Sequence, residues 1–294
     1  MHLGNFIKNL NKKYHKTYFS GLAFNSKQVK KDNIFFAIKG KKFNGNKYIF
    51  DAINKGSKII ISKKNIKLNN KNIICIRDNN PRKLLAEISF KLIKKKPKNL
   101  IAVTGTNGKS SIVNFYYQIL TLNKKKAATI GTLGVRSNKI NFDLLNTTID
   151  PIQLGQILKK LKNHKIDNVI MEASSHGLDQ NRLDGLIFNT GIFTNLSQDH
   201  LDYHKNLKNY LKAKLYLFKN LIKKKGNIIT DSKIPEFTQI KKIARKKSLK
   251  LKTIEGKNEN LEILKHSFQD ESQILKIKYK NIIEDIRLNL IGKI

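Results

Sequence analysis

One stretch limits what this chain can fold into more than any other. Leu100-Ile101-Ala102-Val103 is an unbroken apolar run, the pattern of a strand buried on both faces of a parallel sheet. It passes directly into Thr104-Gly105-Thr106-Asn107-Gly108-Lys109-Ser110-Ser111. A helical pattern with apolar positions Ile112, Phe115, Tyr116, Ile119 and Leu120 follows at once. Strand, glycine loop and helix in this order form a phosphate cradle. Glycines let backbone N–H groups converge, and the helix N-terminus favours an anion. Gly105, Thr106, Asn107, Gly108, Lys109, Ser110 and Ser111 are the expected nucleotide-binding residues, with Lys109 reaching the β- and γ-phosphates and the Ser110 hydroxyl on Mg²⁺. Val103 stands where the full phosphate-loop pattern has its first glycine. A chance Gly-Lys-Ser turn is the alternative, and the flanking strand and helix argue against it.

The rest of the chain extends this architecture. Residues 167–173, 186–194 and 226–230 repeat the apolar-run type with helix-length segments between them, so βαβ units and a mostly parallel sheet are expected. Before the loop, runs at 33–38, 57–62 and 72–76 alternate with helical patterns, ending in a helix over 82–93 and a polar linker at Lys94–Lys98. The reading is an α/β chain of two domains: a small one over 1–95, and a phosphate-loop domain over 99–294. Towards the end Leu275, Ile277 and Tyr279 alternate with Lys276 and Lys278, with a hairpin partner over 286–290. That end of the sheet is expected to be antiparallel.

A net charge of +38 invites a nucleic-acid reading, since phosphate backbones attract positive charge. Only six of the 59 basic residues are arginine, the side chain suited to bidentate base and phosphate recognition. The lysines are dispersed along the sequence, and the abundance of Lys, Asn and Ile fits an AT-rich coding sequence. No nucleic-acid-binding motif is present, so no specific nucleic acid partner is expected. One cysteine, Cys75, excludes an internal disulfide framework. With no signal-like or membrane-spanning apolar run, the expectation is a cytoplasmic monomer without membrane insertion.

Two further residues stand out on physical grounds. Glu172 closes the apolar strand at 168–171, and ligands of open parallel sheets bind beyond the carboxyl ends of strands, so a metal role is favoured over a solvated strand end. In the helical pattern over 207–222, Leu207, Tyr210, Leu211, Phe218, Leu221 and Ile222 form a stripe. Lys214 falls in its middle, while Lys208, Lys212 and Lys219 point away. An inward lysine loses its charge, finds a carboxylate, or snorkels its ammonium to water.

Thr-Gly-Thr-Asn-Gly-Lys-Ser is also the form of this loop in the Mur ligase family and its relative folylpolyglutamate synthase. The resemblance runs along nearly the whole chain. Asn146-Thr147-Thr148-Ile149-Asp150-Pro151 resembles the family's Asn-Thr-Thr-Pro segment, with Ile149 in place of proline. Met171-Glu172-Ala173-Ser174-Ser175-His176-Gly177-Leu178, with Gln180 and Arg182, is similar to the muramyl-peptide segment of the members that add the third residue. Thr194-Asn195-Leu196-Ser197-Gln198-Asp199-His200-Leu201-Asp202-Tyr203-His204 resembles the next signature.

In the first domain, Phe24-Asn25-Ser26-Lys27 stands where the family has Asp-Ser-Arg. Ile34-Phe35-Phe36-Ala37-Ile38-Lys39-Gly40 with Asn44-Gly45 resembles the following landmark. The departures at Asn25 and Lys27 put the uridine contacts in question.

The resemblance implies a UDP-binding first domain and a central ATPase domain, incomplete at its C-terminal end. It implies an ATP- and Mg²⁺-dependent ligase that joins a diamino acid, meso-diaminopimelate or L-lysine, to UDP-MurNAc-L-Ala-D-Glu in cell-wall precursor synthesis. Lys109, Glu172, His200 and Lys214 would be catalytic. Ser110, Glu172, His200 and a Lys214 carbamylated by CO₂ would hold metal. Phe24, Ser26, Lys41, Lys42, Phe43, Asn146, Thr147, Thr148, Ser174, Gln180 and Arg182 would bind the muramyl nucleotide. Leu288-Asn289-Leu290-Ile291-Gly292-Lys293-Ile294 resembles a segment that continues in the family into a third domain, so the expectation is a chain that binds ligands without completing the reaction. A folylpolyglutamate-type ligase and a binding-only remnant are the alternatives.

Overall fold

The computed structural model describes residues 1–40, 43–254, 261–269 and 272–289. The chain forms two compact units: Met1–Pro97 with Ile149–Lys165 and Gly177–Leu186, and Lys98–Thr148 with Ile166–His176 and Ile187–Ile294. The expected residues Lys41 and Lys42, and the last five of the chain, lie outside the described residues.

In the first unit, β1 (Gly21–Ala23), β2 (Asn33–Ala37), α1 (Ile49–Asn54), β3 (Ile59–Ser62), β4 (Ile74–Arg77) and α2 (Pro81–Lys91) succeed one another. The sheet runs β1-β2-β3-β4 and every pairing is parallel. Both faces are covered, which explains why the strands read as continuous apolar runs. Ile34, Phe36, Ile59 and Ile61 pack with Leu84, Leu85 and Ile88 of α2, while Phe35, Ala37 and Ile60 face Ile49 and Ala52 of α1. Pro81 opens α2, and the Asn80 side chain caps it by accepting from Lys83 N.

The second unit contains β5 (Asn99–Thr104), α3 (Lys109–Leu122), β6 (Ala127–Gly131) and β7 (Gly134–Ser137). Helix α4 (Pro151–Asn163) then packs with the first unit, where Gly155 lies against Ile93. The chain continues through β8 (Asn168–Glu172), α5 (Ser175–Asp179), β9 (Phe188–Phe193), α6 (Leu201–His204), α7 (Leu207–Tyr216), β10 (Ile222–Asp231), α8 (Phe237–Lys247) and β11 (Lys250–Ile254). The sheet order is β11-β10-β9-β5-β8-β6-β7, parallel except for the edge pair β6–β7. The expected mostly parallel sheet is therefore observed, with β5 at its centre.

Three details differ from the sequence reading. The antiparallel end is a separate three-stranded sheet, β12 (Glu262–Gln269), β13 (Ser272–Tyr279) and β14 (Ile282–Leu288), and not the edge of the large one. Helix α7 ends at Tyr216 and widens into a π-turn over Leu217–Leu221 before β10, and Leu207 of the expected stripe is exposed. On α3 the buried residue is Val113. Phe115 and Ile119 are exposed, because the helix meets the sheet through Ile112, Val113 and Tyr116.

Candidate active site

The loop between β5 and α3 takes an open shape that depends on glycine. Gly105 has φ +147° and Gly108, the residue before α3, has φ +79°. A side chain at Gly105 would overlap the Thr194 hydroxyl, which donates to Asn107 O at 2.7 Å. Asn107 N donates to Asn195 Oδ1 at 3.0 Å, and Thr106 N to Asn195 O at 2.9 Å. The segment after β9 thus clamps the loop from one side. Ser111 is exposed at the start of α3. We expect Gly105→Ala to cost about 2–3 kcal/mol, from backbone strain and the displaced Thr194. A urea melt at the wild-type midpoint would show that the loop tolerates a side chain there.

Two lysines meet at one loop carbonyl. Lys109 Nζ donates to Gly105 O at 3.0 Å and Thr106 O at 2.7 Å, and Lys214 Nζ donates to the same Gly105 O at 2.6 Å. Lys214 is 1% exposed and its ammonium lies 4.1 Å over the Tyr210 ring. Snorkelling to water is therefore not what this lysine does. Burial pushes its pKa down to about 7, the Lys109 charge adds to that, and Asp199 opposes it. Lys109 is lowered too, by burial, against Glu172 and Asp199. Near neutral pH a large fraction of Lys214 is a free amine.

Across the loop, the carboxyl end of β8 places Glu172 opposite Val103 of β5. Glu172 is 2% exposed, and both carboxylate oxygens accept hydrogen bonds. Ser110 Oγ donates to Oε1 at 3.0 Å, Thr132 N to Oε1 at 2.8 Å, and Thr132 Oγ1 to Oε2 at 3.2 Å. Gly131 is required beside it, because a Cβ there would overlap this carboxylate. Around it, Thr132 Oγ1 lies 3.0 Å from Thr147 Oγ1. Thr148 Oγ1 donates to Glu172 O at 3.1 Å and accepts from Ser174 N at 2.9 Å. Asn146 is exposed nearby in sequence. Ser110, Glu172, Thr147, Thr148 and Ser174 thus form one hydrogen-bonded group.

His200 sits elsewhere in the network. It has φ +53°, and its Nε2 lies 3.4 Å from Asp199 Oδ2. Its ring meets His176 edge-on at 4.8 Å and Tyr210 at 6.2 Å. Among the described residues no group of three His, Cys, Asp or Glu is arranged to hold a metal. Magnesium does not need one. It keeps several waters and takes one or two carboxylates together with substrate phosphates. A serine hydroxyl beside a buried carboxylate at a phosphate loop fits that donor set.

In the first unit, Phe24 packs into the core and Ser26 is buried, its carbonyl accepting from Lys55 Nζ at 3.2 Å. Asn25 Oδ1 accepts from Lys27 N, so asparagine serves the turn that aspartate would. Phe43 is exposed, and Gln180 Oε1 accepts from Arg182 at 2.8 and 3.2 Å.

Sequence reasoning missed Thr132, Asp199 and Tyr210. Asp199 lay inside a segment already singled out, and an acid beside His200 was the available signal. Tyr210 was read only as part of an apolar stripe. Thr132 follows β6, whose sequence Ala127-Ala128-Thr129-Ile130-Gly131 lacks the run of large apolar residues that marked the other strands.

The Mur ligase middle domain model matches residues 103–294, and the Mur ligase family catalytic domain model matches 18–91. The chain is 36% identical over 278 residues to the UDP-N-acetylmuramoyl-L-alanyl-D-glutamate–2,6-diaminopimelate ligase of Chelativorans sp. (strain BNC1), covering 94% of this chain and 57% of that one. It is 40% identical over 290 residues to the Rickettsia montanensis protein of the same name, covering 97% and 60%. A solved structure of a ligase of that name superposes with a TM-score of 0.84 at 24% identity, over 96% of this chain and 58% of that one. A folylpolyglutamate synthase (FPGS) complex with AMPPCP gives 0.56 at 13% identity, over 72% and 59%. The chain spans about three-fifths of the curated relatives' length. With the family's middle-domain model covering most of its residues, and with the strand–loop–helix cradle described above, this chain belongs to the Mur ligase family.

Proposed function

We propose that this chain serves the ATP-dependent ligation of 2,6-diaminopimelate to UDP-MurNAc-L-Ala-D-Glu, in the cytoplasm. The observation that carries this reading is the meeting of Lys109 and Lys214 at the Gly105 carbonyl, beside the Ser110–Glu172 pair. The names borne by relatives at 36–40% identity favour diaminopimelate over lysine as the acceptor.

The chemistry has two stages. The D-glutamyl carboxylate attacks the γ-phosphorus of ATP to give an acyl phosphate and ADP. The amine then attacks the acyl carbon and phosphate leaves. Every participant of the first stage is anionic, so the protein's task is to position them and neutralise charge. Lys109 would turn from the loop carbonyls to the β- and γ-phosphates. Ser110 and Glu172 would hold Mg²⁺, which supplies charge neutralisation at the phosphates. Lys214, as a buried free amine, would add CO₂ and release a proton, giving a carbamate anion suited to a second metal together with His200. Thr147, Thr148 and Ser174 would bind the peptide portion near Glu172. Gln180 and Arg182 would offer a polar pair to its carboxylates, and Phe24, Ser26, Lys41, Lys42 and Phe43 would bind the nucleotide.

Calorimetric titration separates the substrate classes. The chain should bind UDP-MurNAc-L-Ala-D-Glu and give no heat with a folate. Binding of folate alone would overturn the proposal in favour of the folylpolyglutamate-type reading.

A further inference from the structure

The lysines that are dispersed along the sequence are gathered by the topology of the large sheet. Its parallel strands begin in register at one end. Asn99 lies opposite Asn168, which is also opposite Ala127; Ile222 lies opposite Phe188, and Asn227 opposite Lys250. The residues entering those strands therefore line one end, away from the phosphate loop. They are Lys98 before β5, Lys124-Lys125-Lys126 before β6, Lys223-Lys224-Lys225 in β10, and Lys246, Lys247 and Lys250 around the start of β11. All ten are exposed. Asp167 is the acidic residue entering a strand there. Glu172, Asp199, Asp202 and Asp231 lie at or just beyond the carboxyl ends of β8, β9 and β10.

The structure also presents these lysines actively. Pairing of β10 with β9 breaks between Ile222 and Asn227, and the break expels Lys223, Lys224 and Lys225 outward. Buried Gly226 permits it, since a Cβ there would meet Ile222 Cγ2 at 2.7 Å and Lys223 O at 2.8 Å. Apolar side chains stand exposed at the same end. Leu122, at the last turn of α3 beside the Lys124 run, is 82% exposed, and Ile187, just before β9, is 55% exposed. From β11 to β6 the strand entrances span about 24 Å, at about 4.8 Å per strand.

We propose that this end of the sheet docks on an anionic phospholipid bilayer, with Leu122 and Ile187 entering the headgroup region inside a collar of lysines. Such a face combines the two attractions a peripheral protein uses: cationic side chains for acidic headgroups, and a small apolar contact for the acyl boundary. Nucleic acid explains it less well. The charges are lysine point charges with a scarcity of arginine, and the exposed residues between them are aliphatic, giving bases no stacking platform. No helix among the described residues is long and apolar enough to cross a membrane, so the contact is peripheral.

The test is co-sedimentation of the chain with vesicles of phosphatidylglycerol and phosphatidylethanolamine, against vesicles of phosphatidylcholine alone. Three variants are compared: Lys223→Glu/Lys224→Glu/Lys225→Glu, Leu122→Asn, and a charge-matched control, Lys8→Glu/Lys12→Glu/Lys13→Glu, in the first unit. The chain should bind the anionic vesicles only. The Lys223–Lys225 variant should bind at least about tenfold more weakly, and the control should lose no more than about threefold. Leu122→Asn should lower the binding that survives raised salt. Equal losses in both charge variants would overturn the proposal and leave net charge as the cause. So would a duplex DNA that displaces the chain from vesicles while Leu122→Asn has no effect. Urea melts of each variant identify any loss that comes from unfolding.

Discussion

Lys109→Ala is expected to weaken ADP and ATP binding by about 100- to 1000-fold, the scale of a lost charge-assisted contact to phosphate in a half-enclosed site. Lys109 Nζ now closes the loop through two carbonyls, Gly105 O and Thr106 O, so its partners are already arranged around one point. Alanine removes both the cation and this tether. Lys109→Arg should recover only part of the affinity, because a planar fork does not reproduce a compact ammonium in a closely packed loop. Calorimetry with ADP and Mg²⁺ on the three proteins measures this directly. Unchanged affinity in the alanine protein would mean that the nucleotide does not lie in this loop. Stability should change far less than affinity, since the side chain's partners are loop carbonyls and not core residues.

The phosphate loop was legible because three local signals agreed over a few residues: an apolar run, glycines at the turn, and a helical period immediately after. The first unit's strands were legible for a related reason. A sheet covered on both faces leaves few alternatives to β2 and β3 for runs such as Asn33–Ala37 and Ile59–Ser62.

Elsewhere one signal stood alone and was misread. On α3, counting apolar residues selected Ile112, Phe115, Tyr116, Ile119 and Leu120; Ile112 and Tyr116 do meet the sheet, together with Val113, while Phe115 and Ile119 are exposed. Periodicity gives a face only when the other side is polar, and here both sides carry apolar residues. The segment after Lys214 failed similarly. Leu215, Leu217, Phe218 and Leu221 are all buried, so the pattern held no mark of the π-turn, although the apolar run at 226–230 did mark the strand that follows. The final three-stranded sheet was half seen. The alternation of β13 was read, but β12 is exposed along most of its length and carries no face to detect.

For the site, the sequence pointed to single residues, and tertiary structure supplied the pairings. Nothing local links Lys214 to Gly105, which are 109 residues apart, or Ser110 to Glu172, 62 apart. The helical stripe did indicate that Lys214 points inward, and it does. What it could not indicate was a second cation at the same oxygen. Burial is the main cause that disfavours the lysine's charge, and the neighbouring Lys109 cation adds to it where a carboxylate partner would have opposed it.

Lys214→Met should therefore change stability in a pH-dependent way that no ordinary core substitution would produce. The folded-state pKa is about 7, against about 10.5 for a free lysine. Between those values the unfolded chain binds the proton and the folded chain does not, so this group's contribution to stability rises with pH. Its cost is greatest at and below pH 7 and fades towards pH 10. Methionine fills a similar volume with no charge, so it removes that cost but also the bond to Gly105 O and the contact with Tyr210. Those losses give an offset that does not vary with pH. The difference in unfolding free energy between variant and wild type should then favour the variant more at pH 6 than at pH 9, by about 2–3 kcal/mol, in CO₂-free buffer. Urea melts at both values supply the number. With ¹³C-bicarbonate added near pH 8, the wild-type chain should show one carbamate resonance that the methionine variant lacks. A difference in stability independent of pH would mean that Lys214 keeps its proton in the folded chain. Identical carbamate spectra for the two proteins would place any carbamate on another amine.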